Sequence, residues 1–215
     1  MAGSGVYVCA DHLFKVLVIG DVLVGKSSVV LRYVRKTFKE NYKSTIGVDF
    51  ALKTIQWDAR TVVRLQLWDI AGQEQTRNMS RVFYKGARGA LVVFDVTKLA
   101  TLESAAQWKQ DLDSKVSRDS GEPIPTLLLA NKCDLMEQSE RDRMAPSLDE
   151  FCKDNGFTGW FETSAKGGVN IEEAMTFLIQ EMMKTMSGEN QDERSKGGVD
   201  LGGRADQSIV ARCCC

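Results

Sequence analysis

Gly20, Gly25, Lys26 and Ser27, spaced as G-x-x-x-x-G-K-S within GDVLVGKS, are residue types that together can hold phosphate. They follow an apolar run and precede a helical pattern. In that setting a glycine-rich loop turns backbone N–H groups, here those from Val22 and Val24 through Gly25 to Ser28, toward phosphate oxygens at a helix N-terminus. Lys26 adds a mobile positive charge, and the Ser27 hydroxyl is a ligand for Mg²⁺. The competing interpretation of the octapeptide alone is a glycine turn with Ser27 capping a helix; residues further along argue against it.

NKCD supplies Asn131, Lys132 and Asp134 after the apolar TLLLA, at the strand end where α/β folds bind ligands. A carboxylate can accept two hydrogen bonds from the N1–H and exocyclic amine of guanine, and adenine offers no such pair, so Asp134 selects guanine. Lys132 can lie along the base plane. SAK (Ser164, Ala165, Lys166) follows another strand and can close the pocket with a backbone N–H to the guanine oxygen. In WDIAGQE, Asp69 can hold Mg²⁺ through water, the Gly72 amide can bond the γ-phosphate, and Gln73 can orient the attacking water as the catalytic residue. Thr45 is placed to reach Mg²⁺ and the γ-phosphate, and Phe38 to pack edge-on against the base. A strand-end Asp or a loop Thr is common in isolation; the ordered set is not.

These residues need a frame that brings distant segments to one rim. FKVLVIG (14–20), ALVVFDV (90–96) and PTLLLAN (125–131) are nearly continuous apolar runs, as expected of strands covered on both faces. Helical spacing over 26–36, 74–85 and 102–116 separates them. VDFALKTIQWD and TVVRLQLWDI alternate around a turn at 58–61 and read as an antiparallel hairpin at the sheet edge. GWFETSA gives a last strand and 171–186 a last amphipathic helix. The expected fold is a doubly wound α/β P-loop NTPase: a mostly parallel six-stranded sheet with one antiparallel edge strand and helices on both faces. Residues 1–11 read as a flexible N-terminus, 12–186 as the domain, and 187–215, rich in Gly, Ser and charge, as a disordered tail.

Composition narrows the partners. The 215 residues carry 28 basic and 29 acidic side chains, so no field of one sign favours nucleic acid. The single histidine, His12, excludes His-based triads and metal clusters, and RKTFKENYK reads as a solvated helix end and loop. Cys9, Cys133 and Cys152 stand alone while Cys213, Cys214 and Cys215 are adjacent, which suits a reduced, intracellular protein. The expectation is synthesis in the cytosol, since no signal-peptide pattern and no run of ~18 apolar residues is present, and Ala2 does not fit a myristoylation site.

Taken together, the 20–27 loop, Thr45, WDIAGQE, NKCD and ETSAK resemble the small GTPases of the Ras superfamily over about residues 12–186. IGVDF, FYKGA and the cysteine terminus are similar to the Rab branch. Ile70 within WDIAGQE, DFALK, LANKCD and GWFETSAK are similar to the Rab subgroup of melanosomes and other lysosome-related organelles. The resemblance implies a monomeric two-state switch in which GTP orders the loops around Thr45 and Gln73. It also implies an exchange factor, a GTPase-activating protein, a GDP-dissociation inhibitor, a Rab escort protein and effectors of the GTP state. Phe50, Trp68 and Phe83 match the aromatic triad of the effector surface, the third usually being Tyr; the alternative is plain sheet packing.

ARCCC excludes a C-a-a-X site, because position 212 is Arg. It resembles Rab tails that carry two geranylgeranyl groups, here on Cys214 and Cys215, with Cys213 a further candidate; a zinc site and a redox cluster are the alternatives. With no polybasic patch in the tail, stable anchoring needs both lipids. The implied location is the cytoplasmic face of intracellular membranes, endosomal or lysosome-related, cycling with the cytosol.

Val22 and Leu23 bear on turnover. Ras-like relatives have Gly at the Val22 position, where a branched side chain obstructs the transition state and spares ground-state binding. Rab-like proteins often carry a non-glycine there and still hydrolyse GTP with a helper protein that supplies its own glutamine. Leu23 is less usual, and Gln75 and Thr76 replace the Arg and aromatic expected after AGQE. The expectation is tight GTP and GDP binding with slow intrinsic hydrolysis, on the order of 10⁻⁴ s⁻¹ or below. The alternatives are a hydrolysis-deficient GTP-bound scaffold and a P-loop ATPase or kinase, the latter opposed by NKCD.

Overall fold

Two segments, β4 (Gly89–Asp95) and β5 (Thr126–Asn131), are buried at every residue, as their unbroken apolar sequences require of central parallel strands. The computed structural model describes residues 10–40, 45–72, 80–118 and 120–194. Along the chain the remaining elements are β1 (Ala10–Ile19), α1 (Lys26–Arg35), β2 (Val48–Asp58), β3 (Thr61–Ile70), α2 (Ser80–Tyr84), α3 (Ala100–Lys115), α4 (Gln138–Asp154), β6 (Gly159–Thr163) and α5 (Ile171–Arg194). The sheet order is β2-β3-β1-β4-β5-β6. Among the described strands only β2 and β3 pair antiparallel, and β2 forms one edge. This is the expected six-stranded α/β architecture.

Strand alternation splits the core between the two faces. Val16 and Val18 of β1 join Leu65, Leu127 and Leu129 beneath α1 and α5, where Val29, Tyr33, Ala174 and Leu178 meet them. Leu17 and Ile19 turn the other way and join Val92, Phe94 and Leu128 beneath α3 and α4, with Trp108, Leu112, Ala145 and Leu148.

Element limits depart from the sequence expectation in five places. β1 starts at Ala10, because its first residues pair with β3 from Ala10 opposite Thr61 onward. α3 begins at Ala100 and ends at Lys115. Of the helix expected over 74–85, the described part is Ser80–Tyr84. α4 has no counterpart in the sequence reading: it contains Pro146 and fully buries only Ala145, Leu148 and Cys152, and it starts with a capping box between Glu137 and Glu140. α5 continues past Met186 to Arg194, since Glu189, Gln191, Glu193 and Arg194 are good helix formers that offset Gly188, Asn190 and Asp192.

Candidate functional site

The loop after β1 is shaped by close backbone approach. Gly20 has φ 137°, and a Cβ there would lie 2.2 Å from the Val93 carbonyl oxygen of β4. Gly25 (φ 100°) caps α1, and its Cβ would lie 2.3 Å from Asn131 Nδ2. Neither position admits a side chain. Asn131 Nδ2 donates to the Val24 carbonyl at 2.8 Å, tying the loop to the end of β5. Val24 is buried and Ser28 half-buried, while Val22 and Leu23 are exposed. Leu23 holds φ 68°, in the left-handed region. Lys26 is buried, and its Nζ donates to the Asp21 carbonyl at 2.7 Å. Burial pushes this ammonium down to about 8, against the opposing pull of Asp69 and Asp21.

Beside Lys26, three oxygen-bearing side chains converge from separate segments. The Ser27 hydroxyl donates to Asp69 Oδ2 and shares a 2.8 Å hydrogen bond with Thr45 Oγ1, which lies 3.5 Å from the same carboxylate oxygen. Asp69 Oδ1 is buried and has no hydrogen-bond partner. Burial pushes the Asp69 carboxyl up, with Ser27, Lys26 and Thr45 opposing. Two hydroxyls and one carboxylate with a spare buried lone pair form a hard donor set, which fits Mg²⁺ completed by phosphate and water. Among the described residues no group of three His, Cys, Asp or Glu side chains converges. Gly72, just past β3, runs against the phosphate loop; a Cβ on it would lie 2.4 Å from the Asp21 carbonyl carbon.

Along the same rim lie the residues expected to read a base. Asn131 is buried; besides holding Val24, its Oδ1 accepts from the Ala165 N–H at 3.2 Å and from Thr163 Oγ1 at 3.4 Å. Asp134 is exposed on a short 3₁₀ turn, Cys133–Leu135, and accepts from the Ser164 hydroxyl, which itself accepts from the Gly167 N–H at 2.8 Å. Lys132 donates to Asp95 Oδ2 at 2.6 Å. Lys166 extends toward Glu40, 3.6 Å away. Phe38 is half-buried and packs against the core cluster beneath α1 and α5.

Three residues of this region were missed in the sequence. Asp95 ends β4 opposite Asn131, so the strand-end rule that singled out Asp69 and Asn131 applied to it equally. Burial opposes its charge, but Lys132 and two bonds from Thr97, hydroxyl at 2.7 Å and N–H at 3.0 Å, hold the carboxyl below the usual range. Trp108 donates from Nε1 to Asp21 Oδ1 at 2.9 Å, and Arg32 bonds the 164–168 loop; both contacts cross long sequence separations that no local pattern marks.

Phe50, which is 59% exposed, meets Trp68 edge-on with centroids 4.4 Å apart, and Lys15 Nζ sits 3.4 Å over the indole. Phe83 is half-buried and packs, like Trp68, against the cluster beneath α3 and α4. Gln73, Gln75, Thr76, Cys213, Cys214 and Cys215 lie outside the described residues. Among the described residues no helix is long and apolar enough to cross a membrane.

Comparison with known proteins agrees with this geometry. The profile of the Ras family matches residues 15–184. The chain is 56% identical to Ras-related protein Rab-32 of Mus musculus over 192 residues, covering 89% of this chain and 82% of that protein. It is 50% identical to Ras-related protein Rab-32A of Dictyostelium discoideum, covering 95% and 94% of the two chains. It is 55% identical to Ras-related protein Rab-7L1 of Homo sapiens, covering 81% and 84%.

Proposed function

The chain belongs to the Ras family, in its Rab branch, and on that premise we propose how its residues divide the work of a guanine-nucleotide switch. As a Rab-like small GTPase of membrane trafficking it binds GTP or GDP with Mg²⁺, hydrolyses GTP, and acts with exchange factors, activating proteins, dissociation inhibitors and effectors. In the proposed division, Gly20, Val22, Val24, Gly25, Lys26 and Ser28 cradle the phosphates. Ser27, Thr45 and, through water, Asp69 would hold Mg²⁺, which would supply positive charge to offset that of the phosphates. The Gly72 N–H meets the γ-phosphate, and Gln73 orients the attacking water. Asp134 pairs with the N1–H and amine of guanine, Lys132 and Phe38 flank the base, and Asn131 fixes both the phosphate loop and the Ser164–Lys166 segment.

The observation that supports this most is the convergence of Ser27, Thr45 and Asp69, with its unpartnered buried oxygen, beside the buried Lys26. Lys26 Nζ is held within the loop by the Asp21 carbonyl at 2.7 Å. Effectors of the GTP state read Phe50, Trp68 and Phe83. Residues 12–186 serve as the nucleotide-binding domain. The tail ends in Cys214 and Cys215, with Cys213 also available, which an escort protein presents for geranylgeranylation. The membranes served are endosomal or lysosome-related, a reading supported by the DFALK and GWFETSAK segments.

Calorimetry on the full chain should give GTP and GDP affinities far above that for ATP; equal affinities would overturn the assignment. Single-turnover hydrolysis at 37 °C should be on the order of 10⁻⁴ s⁻¹ or slower, and Val22→Gly should raise it at least several-fold. A rate that V22G leaves unchanged would remove Val22 from the account. A permanently GTP-bound scaffold, the alternative that Val22 and Leu23 suggested, is not favoured by relatives that are GTPases.

A further inference from the structure

Arg32 lies in the last turn of α1, and the phosphate, metal and base chemistry above makes no use of it. Its guanidinium makes three hydrogen bonds, all to backbone carbonyls. Nε donates to Ala165 at 2.7 Å, Nη2 to Lys166 at 2.6 Å, and Nη1 to Lys36 at 3.0 Å. Lys36 is the C-cap of α1, and its own N–H donates back to the Arg32 carbonyl at 2.9 Å. A planar fork of donors thus joins the end of a helix to a loop more than a hundred residues away in sequence. Gly168 (φ 75°) brings the loop down onto the same side chain, where a Cβ would stand 3.7 Å from Arg32 Cδ.

Ala165 is therefore held at both ends. Its N–H donates to Asn131 Oδ1, and its carbonyl accepts from Arg32 Nε. Asp134 sits on a different segment, the turn after β5, which Arg32 does not touch. We propose that Arg32 is a positioning residue for base recognition: it sets the height of the 164–168 loop, so that a backbone N–H of the loop meets the oxygen at C6 of the purine, while Asp134, linked to the loop through the Ser164 hydroxyl alone and carried by the turn after β5, reads the N1 and C2 edge. This rests on the base-site assignment proposed above. Hydrogen bonds from a charged donor are stronger than those between neutral groups, and losing the two that Arg32 makes to the loop, at Ala165 and Lys166, frees it from the end of α1.

The test uses three diphosphates on the full chain: GDP, 6-thio-GDP, which replaces the C6 oxygen with a poor acceptor, and IDP, which lacks the C2 amine. Wild type should bind GDP more tightly than either analogue. In Arg32→Gln, GDP affinity should fall about tenfold and 6-thio-GDP affinity by about twofold or less, collapsing the GDP to 6-thio-GDP ratio. The GDP to IDP ratio should stay as in wild type. Arg32→Lys keeps the charge but not the fork, and should fall between the two. Both ratios unchanged, or both falling together, would overturn the role of Arg32; if R32Q does not fold, the same two results in R32K do so. Wild type failing to prefer GDP over IDP would instead overturn the base-site assignment itself.

Discussion

Leu23 occupies a conformation that its side chain resists. At φ 68° a branched L-residue meets its own carbonyl, a cost of about 1–2 kcal/mol, and with 48% of its surface exposed it recovers little by burial. Glycine removes that clash but loosens the unfolded chain by about 0.5–1 kcal/mol. The clash is the larger effect, so Leu23→Gly should stabilise the protein by about 0.5–1 kcal/mol. Val22, next to it and 39% exposed, does not have a positive φ, so Val22→Gly should show only the loosening and destabilise by up to about 1 kcal/mol. Urea unfolding of both variants at one fixed GDP concentration checks the opposite signs; a destabilised L23G would mean that Leu23 makes contacts worth more than its strain. Neighbouring residues of similar chemistry thus serve the loop differently, and the difference lies in backbone angle rather than in side-chain type.

Between elements, the phosphate and base ends of the rim are tied by contacts among strand termini. Asp95 closes β4 and Asn131 closes β5 in the same register, and Lys132, one residue on, turns back to Asp95. The Asp95 carboxyl is held below its usual range, so its contribution to stability is present above the unfolded value near pH 4 and is lost as pH falls through the lower folded value. Asp95→Asn should therefore cost about 1–3 kcal/mol at pH 7, because Lys132 loses its ionic acceptor beside a buried group. The gap from wild type should narrow progressively below about pH 4, as measured by unfolding at constant GDP. A gap independent of pH would assign the loss to packing. Continuous apolar runs made the strands that carry these termini legible in the sequence, because burial on both faces leaves a pattern that needs no knowledge of neighbours. The motif residues Lys26, Ser27, Asp69 and Asn131 were legible for the same local reason, each lying at a strand end or at the start of a helix. α4 was not, since three fully buried residues and an internal Pro146 leave too faint a stripe. Nor were Arg32 and Trp108, whose partners are set by tertiary approach alone.

For the molecule as a whole, a bound nucleotide adds a cross-link among three segments, of which the sheet already joins two, Val48 pairing with Ile70 and the Ala71 N–H donating to the Gly47 carbonyl. Ser27 is the second residue of α1, Thr45 precedes β2 and Asp69 lies near the end of β3; their side chains are linked by one bond between the Ser27 and Thr45 hydroxyls and by a bond from each hydroxyl to the Asp69 carboxylate. Such bonds are each worth about 1 kcal/mol, too little to fix the segment before β2 on their own. A ligand that binds only the folded state adds far more: GDP with Mg²⁺ at 1,000 times its Kd contributes about 4 kcal/mol. In a chain of this size that corresponds to roughly 8–16 °C of melting temperature. Adding EDTA to the GDP-loaded full chain should remove most of this increment at unchanged GDP, as read by scanning calorimetry. Asp69→Asn, with the carboxylate charge gone, should melt lower before chelation and shift much less after it. If wild type and D69N respond to EDTA equally, Asp69 takes no part in holding the ion. If they differ as expected, Asp69 carries part of the ion's contribution, and the hydroxyl bonds of Ser27 and Thr45, each worth about 1 kcal/mol, add little to it.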